Sequence, residues 1–141
     1  MTLTVIAIDF DGVIHAHTSE WTNAHDINDP PVNGALAFIR EAIDAGFHVV
    51  IHTTRARTAT TVPHIYAWLQ KHGLEEKYTW PIEVTALKPA ATIYIDDHGW
   101  RFEGAWPSIE TIRGLRPWYK REREALSADD KEALGLDEEE L

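Results

Sequence analysis

Apolar residues fall in short runs whose spacing changes along the chain. Thr4-Val5-Ile6-Ala7-Ile8 is an unbroken β-branched run that passes into Asp9-Phe10-Asp11-Gly12-Val13-Ile14. Such a run predicts a buried central strand, because strands of a parallel sheet are covered on both faces. Phe47 to His52, Ile82 to Thr85 and Thr92 to Ile95 predict three further strands. Between them the period becomes helical. Leu36, Ile39 and Ile43 share a face over Gly34 to Ala45, with Gly46 as stop, and Ile65, Trp68, Leu69 and His72 share one over Val62 to His72. Pro63 is tolerable in the first turn of that second helix, and Gly73 follows its end. This alternation implies an α/β fold with a small parallel sheet and right-handed crossovers.

The tail is patterned more weakly. Phe102-Glu103-Gly104 reads as a short edge strand, Pro107 to Ile112 as a helical turn and Pro117 to Leu126 as a helix. Ser127 with Asp130 resembles a capping box for a last helix ending at Gly135. The expected organisation is a catalytic domain over 1–112 and a helical, acidic extension over 113–141.

Composition narrows the setting. With 141 residues, 44% of them hydrophobic, the chain can bury a real core. The absence of cysteine excludes disulfides and thiolate metal sites, and suits a reducing compartment. No apolar run approaches a membrane span and the first strand starts near residue 3, so a cytoplasmic protein without a membrane partner is expected. A formal charge of −10 argues against broad coating of nucleic acid, although Arg113, Arg116, Lys120, Arg121 and Arg123 gather positive charge locally.

Candidate chemistry lies at the carboxyl ends of the strands, where ligands of such sheets collect. Side chains two apart in an extended stretch point the same way, so Asp9 and Asp11 share one side and face one small volume. At ~4 Å and an effective dielectric of ~20 the pair repels by about 4 kcal/mol, which calls for a shared proton or a hard cation such as Mg²⁺. Gly12 allows a sharp turn straight after them. The polar segment from His15 to Asn33 is too long for a simple turn and reads as a functional loop, with His15, His17, Trp21, His25 and Asp26 as candidates for substrate contact. His15 and His17 lack a third ligand at a telling spacing. After the second strand, Thr53-Thr54-Arg55 offers hydroxyls and a guanidinium to an anion. Lys88 and the pair Asp96-Asp97 complete the set. Trp21, Trp68, Trp80 and Trp106 read as packing residues.

Ile8-Asp9-Phe10-Asp11-Gly12-Val13, Val49 to Arg55, Lys88-Pro89 and Ile93 to Asp97 occur in an order that resembles the haloacid dehalogenase-like (HAD) superfamily of phosphotransferases. The resemblance covers about residues 3 to 106. It implies a three-layer Rossmann-like α/β fold and Mg²⁺-dependent hydrolysis of a phosphomonoester through an aspartyl-phosphate. By resemblance Asp9 is the nucleophile and Asp11 the acid that protonates the leaving oxygen. Thr53 or Thr54, with Arg55 and Lys88, would hold the phosphoryl group. Mg²⁺ would take Asp9, the Asp11 carbonyl, Asp96 and Asp97. The chain departs from many relatives in having only Pro89-Ala90-Ala91 between Lys88 and the last acidic strand, and in carrying His98 where an arginine is common. Both positions where relatives insert cap domains are short, which implies an open site. A small phosphorylated molecule is the expected substrate. The alternatives are a polynucleotide end held by the Arg113 to Arg123 segment, and a phosphate-binding regulator without turnover.

Overall fold

The computed structural model describes residues 4–120. Four strands, β1 (Val5–Asp9), β2 (His48–His52), β3 (Glu83–Thr85) and β4 (Ile93–Ile95), form one all-parallel sheet in the order β3-β2-β1-β4. β1 pairs with β2 from Val5↔His48 to Asp9↔His52, and with β4 from Ile6↔Ile93 to Ile8↔Ile95. Its central place explains its composition. Ile6, Ala7 and Ile8 are all buried, as a strand covered on both faces requires.

Helices fill the crossovers: α1 (Ala35–Asp44) between β1 and β2, then α2 (Val62–Lys71) and the short α3 (Glu76–Thr79) between β2 and β3. Both longer helices lie within a residue or so of the expected bounds, because glycine flanks α1 and follows α2, and Pro63 sits in the first turn of α2. Gly34 precedes α1 at φ +85°, which a side chain would strain, and Gly73 leaves α2 at φ +102°. Ile39 and Ala42 of α1 and Ile65, Trp68 and Leu69 of α2 join Ile6, Ile8, Phe10, Val49 and Ile51 in the core. Arg40 of α1 ties it to the turn after α2, donating to Glu75 Oε2 at 2.8 Å and to the Gly73 carbonyl at 2.7 Å.

β4 lies at one end of the sheet. Among the described residues it pairs on one side only, and Ile93 and Tyr94 remain 49% and 41% exposed. The short α3 carries no strong periodic signal and was not anticipated.

The chain divides into two compact units, 1–96 and 97–141. In the second unit, Phe102-Glu103-Gly104 forms no strand; Gly104 takes φ +95° in a bend, and the Phe102 ring meets Trp106 edge-on at 4.7 Å. The helical turn is α4 (Ile109–Gly114), shifted two residues because Ser108 caps it, its Oγ accepting the Thr111 N–H at 3.0 Å. A helix begins at Trp118, and most of its expected span, like the Ser127 to Gly135 segment, lies outside the described residues. No helix among the described residues is long and apolar enough to cross a membrane.

Candidate functional site

β1 ends at Asp9, whose Oδ1 accepts the Phe10 N–H at 2.9 Å. The chain then curls: the Phe10 carbonyl accepts the N–H groups of Ile14 and His15, each at 2.9 Å, and the Gly12 N–H returns to the His15 carbonyl at 2.8 Å. Gly12 makes this possible at φ +81°. Asp11 is therefore a turn residue, and strand alternation no longer decides where its side chain goes.

That side chain meets Arg55. Arg55 Nε donates to Asp11 Oδ2 at 2.8 Å and Nη2 to Oδ1 at 3.0 Å, a bidentate pair. On its other side, Nη1 donates to the carbonyls of Ala24 at 2.8 Å and Asp26 at 3.1 Å, with Asn23 at 3.4 Å. The guanidinium is 3% exposed as a residue and lies under the Trp21 ring, 4.5 Å from its centroid. Arg55 was expected to receive an anionic substrate; here it grips Asp11 and three carbonyls of the loop. Burial pushes the Asp11 carboxyl up, but hydrogen bonds from His15 and Arg55, with the charges of Arg55 and His17, outweigh it and lower the pKa to about 2.

His15 is the second support. Its Nε2 accepts the Asp29 N–H at 3.1 Å, so the ring proton sits on Nδ1, which donates to Asp11 Oδ1 at 2.8 Å. The ring stacks on Phe10 at 5.5 Å and meets the edge of Trp68 at 5.6 Å. Trp68 Nε1 donates to the Asp29 carbonyl at 3.1 Å, while the Asp29 carboxylate accepts both the N–H and the hydroxyl of Ser19. Burial raises the Asp29 pKa, and the Ser19 hydrogen bonds together with His15 bring it below its ordinary value. Residues 15–33 thus form an ordered loop, internally braced and free of glycine. His17 is held in it at φ +54°, a strained setting for a side chain of this size.

Asp11, His15 and His17 each bring a ligand atom to within 4.8 Å of the others. The hydrogen bonds argue against a cation there, since both His15 nitrogens are engaged and Arg55 holds both Asp11 oxygens. Ile8 pairs with Ile95, so Asp9 and Asp96 directly follow the last paired residues of two adjacent strands. Two neighbouring carboxylates with oxygen donors only suit a hard cation such as Mg²⁺, although their side chains do not belong to the gathered group. Asp97, first residue of the second unit, has both carboxylate oxygens buried without a hydrogen-bond donor, His98 Nε2 lying 3.5 Å from Oδ2.

Of the candidate phosphate ligands, Thr53 stands at the end of β2, directly after His52, the partner of Asp9. It is 3% exposed, its N–H donates to the Thr85 carbonyl at 2.9 Å and its Oγ1 accepts the Arg55 N–H at 3.2 Å. That cap uses a lone pair of the hydroxyl, whose O–H is a separate donor function. Thr54 is exposed on the 3₁₀ turn Thr54–Arg57. Lys88 follows β3, exposed, with Nζ 4.6 Å from the Tyr94 ring centroid. The residues missed from sequence are Ser19 and Asp29, and with them the bracing work of His15 and Trp68. A glycine-free loop rich in Asp, Asn, Ser and His was the available sign of internal hydrogen bonding. Comparison of the chain with protein-family models, with curated proteins and with solved structures returned no match.

Proposed function

We propose that the chain is a HAD-like phosphomonoester hydrolase of the cytoplasm, its sheet and helices forming the three-layer Rossmann-like fold of that superfamily. One observation carries the reading: the register sets Asp9, at the end of the central strand, between the Thr53 end of β2 and the Asp96 end of β4. A nucleophilic carboxylate, a hydroxyl donor and a second carboxylate then border one edge of the sheet, where α/β proteins bind ligands.

In this reading an Asp9 oxygen attacks phosphorus as the bond to the leaving oxygen breaks, that oxygen taking a proton from solvent water, and a second water then attacks the acyl phosphate to release phosphate and return Asp9 as a carboxylate. Thr53 donates its hydroxyl to a phosphoryl oxygen, and Lys88 supplies positive charge at the exit of β3. Asp9, Asp96 and the Asp11 carbonyl would hold Mg²⁺, with Asp97 next along the chain, and the cation offsets the repulsion between carboxylate and phosphate. Asp11 takes a positioning role: to donate a proton it would have to leave Arg55 and bind one against a pKa of about 2. Its pair with Arg55 fixes the loop that carries His17 and Trp21. Nothing among the described residues favours the polynucleotide-end alternative; Arg121 and Arg123 lie outside them, and Arg116 Nη1 bonds the Arg113 and Leu115 carbonyls. The test is phosphate release from a phosphomonoester panel with and without Mg²⁺, beside Asp9→Asn.

A further inference from the structure

Residues 86–92 carry the chain from β3 at one end of the sheet to β4 at the other without a helix. Three hydrogen bonds tie this crossover down: the Leu87 N–H donates to Thr85 Oγ1 at 3.1 Å, the Tyr94 hydroxyl to the Pro89 carbonyl at 2.6 Å, and the Thr92 N–H to the Val5 carbonyl at 2.9 Å. Tyr94 also receives Lys88, whose Nζ lies 4.6 Å from the ring centroid. One side chain therefore holds both the backbone next to Lys88 and its ammonium group. Pro89 already restricts the Lys88 backbone to extended conformations, so the remaining freedom is in the side chain. An unheld lysine would give up that freedom on meeting an anion, and a held one has given it up beforehand. An aromatic ring holds an ammonium without neutralising it, unlike a carboxylate, so the charge and its N–H donors stay available.

The sheet register says on which side that charge is kept. Ile6, Ile8, Val49 and Ile51 join α1 and α2 in the core, so Ala7 and Asp9, which alternate with Ile6 and Ile8 along β1, project from the opposite face. Tyr94 pairs with Ala7 in the adjacent parallel strand and shares that face. Asp9 is two residues beyond Ala7, ~7 Å along β1. We infer that Tyr94 is a positioning residue, which holds Lys88 on the face of the sheet that carries the nucleophile, ready for a phosphoryl oxygen. This rests on the phosphohydrolase reading.

The experiment is a double-mutant cycle over the wild type, Tyr94→Leu, Lys88→Ala and the double variant, read as kcat/KM for para-nitrophenyl phosphate with Mg²⁺, beside Tyr94→Phe. An exposed contact of a cation with a ring is worth about 2- to 5-fold, so Tyr94→Leu should lower kcat/KM by that factor where Lys88 is present and leave it unchanged in Lys88→Ala. Tyr94→Phe keeps the ring and should recover most of the loss. Equal losses from Tyr94→Leu in both backgrounds, or none in either, overturn the inference while leaving the hydrolase reading intact. If no ester is turned over, the hydrolase reading fails and the same cycle, read by calorimetry as affinity for inorganic phosphate with Mg²⁺, decides the inference by itself. Phosphate affinity that Tyr94→Leu weakens only where Lys88 is present then supports it; affinity indifferent to Tyr94, or no phosphate binding, refutes it.

Discussion

Truncating Arg55 to alanine should destabilise the protein by about 3–5 kcal/mol, the usual cost of removing one partner of a buried ion pair. The structure explains why the value should fall in that range. The change leaves the Asp11 carboxylate with only the His15 N–H as a close donor, and takes the Nη1 donors from the carbonyls of Asn23, Ala24 and Asp26. A second figure comes from the depressed pKa of the Asp11 carboxyl. The Asp11 pKa lies at about 2 against 3.8 for an unperturbed group, which corresponds to about 2 kcal/mol of native-state stability. Because the folded pKa is depressed, this contribution is complete above pH 3.8 and is lost as pH falls towards 2. Urea unfolding at pH 7 gives the first quantity, and unfolding at a series of pH values from 5 to 2 gives the second. Arg55→Ala should flatten the acid limb as well as lower the plateau. A loss below about 1 kcal/mol at pH 7, with an acid limb identical to the wild type, would refute the reasoning.

Thr61 is fully buried and its Oγ1 lacks a partner, so the isosteric Thr61→Val should stabilise the protein by about 1 kcal/mol, read as a rise in melting temperature. Burial lowers the His17 pKa below 6.5, with Asp11 only partly opposing it. The unfolded chain then binds the proton more readily, so stability should fall as pH drops below 6.5, and His17→Gln should remove that part of the slope. Asp96→Ala should raise the Mg²⁺ concentration needed for half-maximal phosphate release, since a hard ion loses one of few protein oxygens; an unchanged requirement would remove Asp96 from the ligand set.

The elements that were legible in the sequence are those with repeated local signals. β1 and β2 are β-branched runs flanked by polar residues, and α1 and α2 combine a spaced apolar face with glycine at the boundary. Legibility ended where the backbone left regular structure. Strand alternation was extended from Asp9 to Asp11, but the Gly12 turn begins between them and hands the Asp11 carboxylate to Arg55. No local pattern announces that Arg55 will be wrapped by carbonyls about thirty positions earlier in the chain, so a guanidinium beside two threonines reads as an anion receptor. The same applies to His15, whose neighbours in the chain do not disclose Asp29 and Trp68 as its neighbours in space. Thr53 was placed correctly at a strand end, and its capping bond also explains why that position takes a hydroxyl residue.

The most direct measurement of the central claim is phosphate release by the wild type and by Asp9→Asn, with Mg²⁺ and with EDTA, under conditions where unfolding curves show both proteins native. The account predicts Mg²⁺-dependent release by the wild type, none by Asp9→Asn, and little change in the variant's stability, because asparagine keeps the shape of the side chain while removing the nucleophile. Release that survives in Asp9→Asn, or its absence from every phosphomonoester tried with the folded wild type, would contradict it.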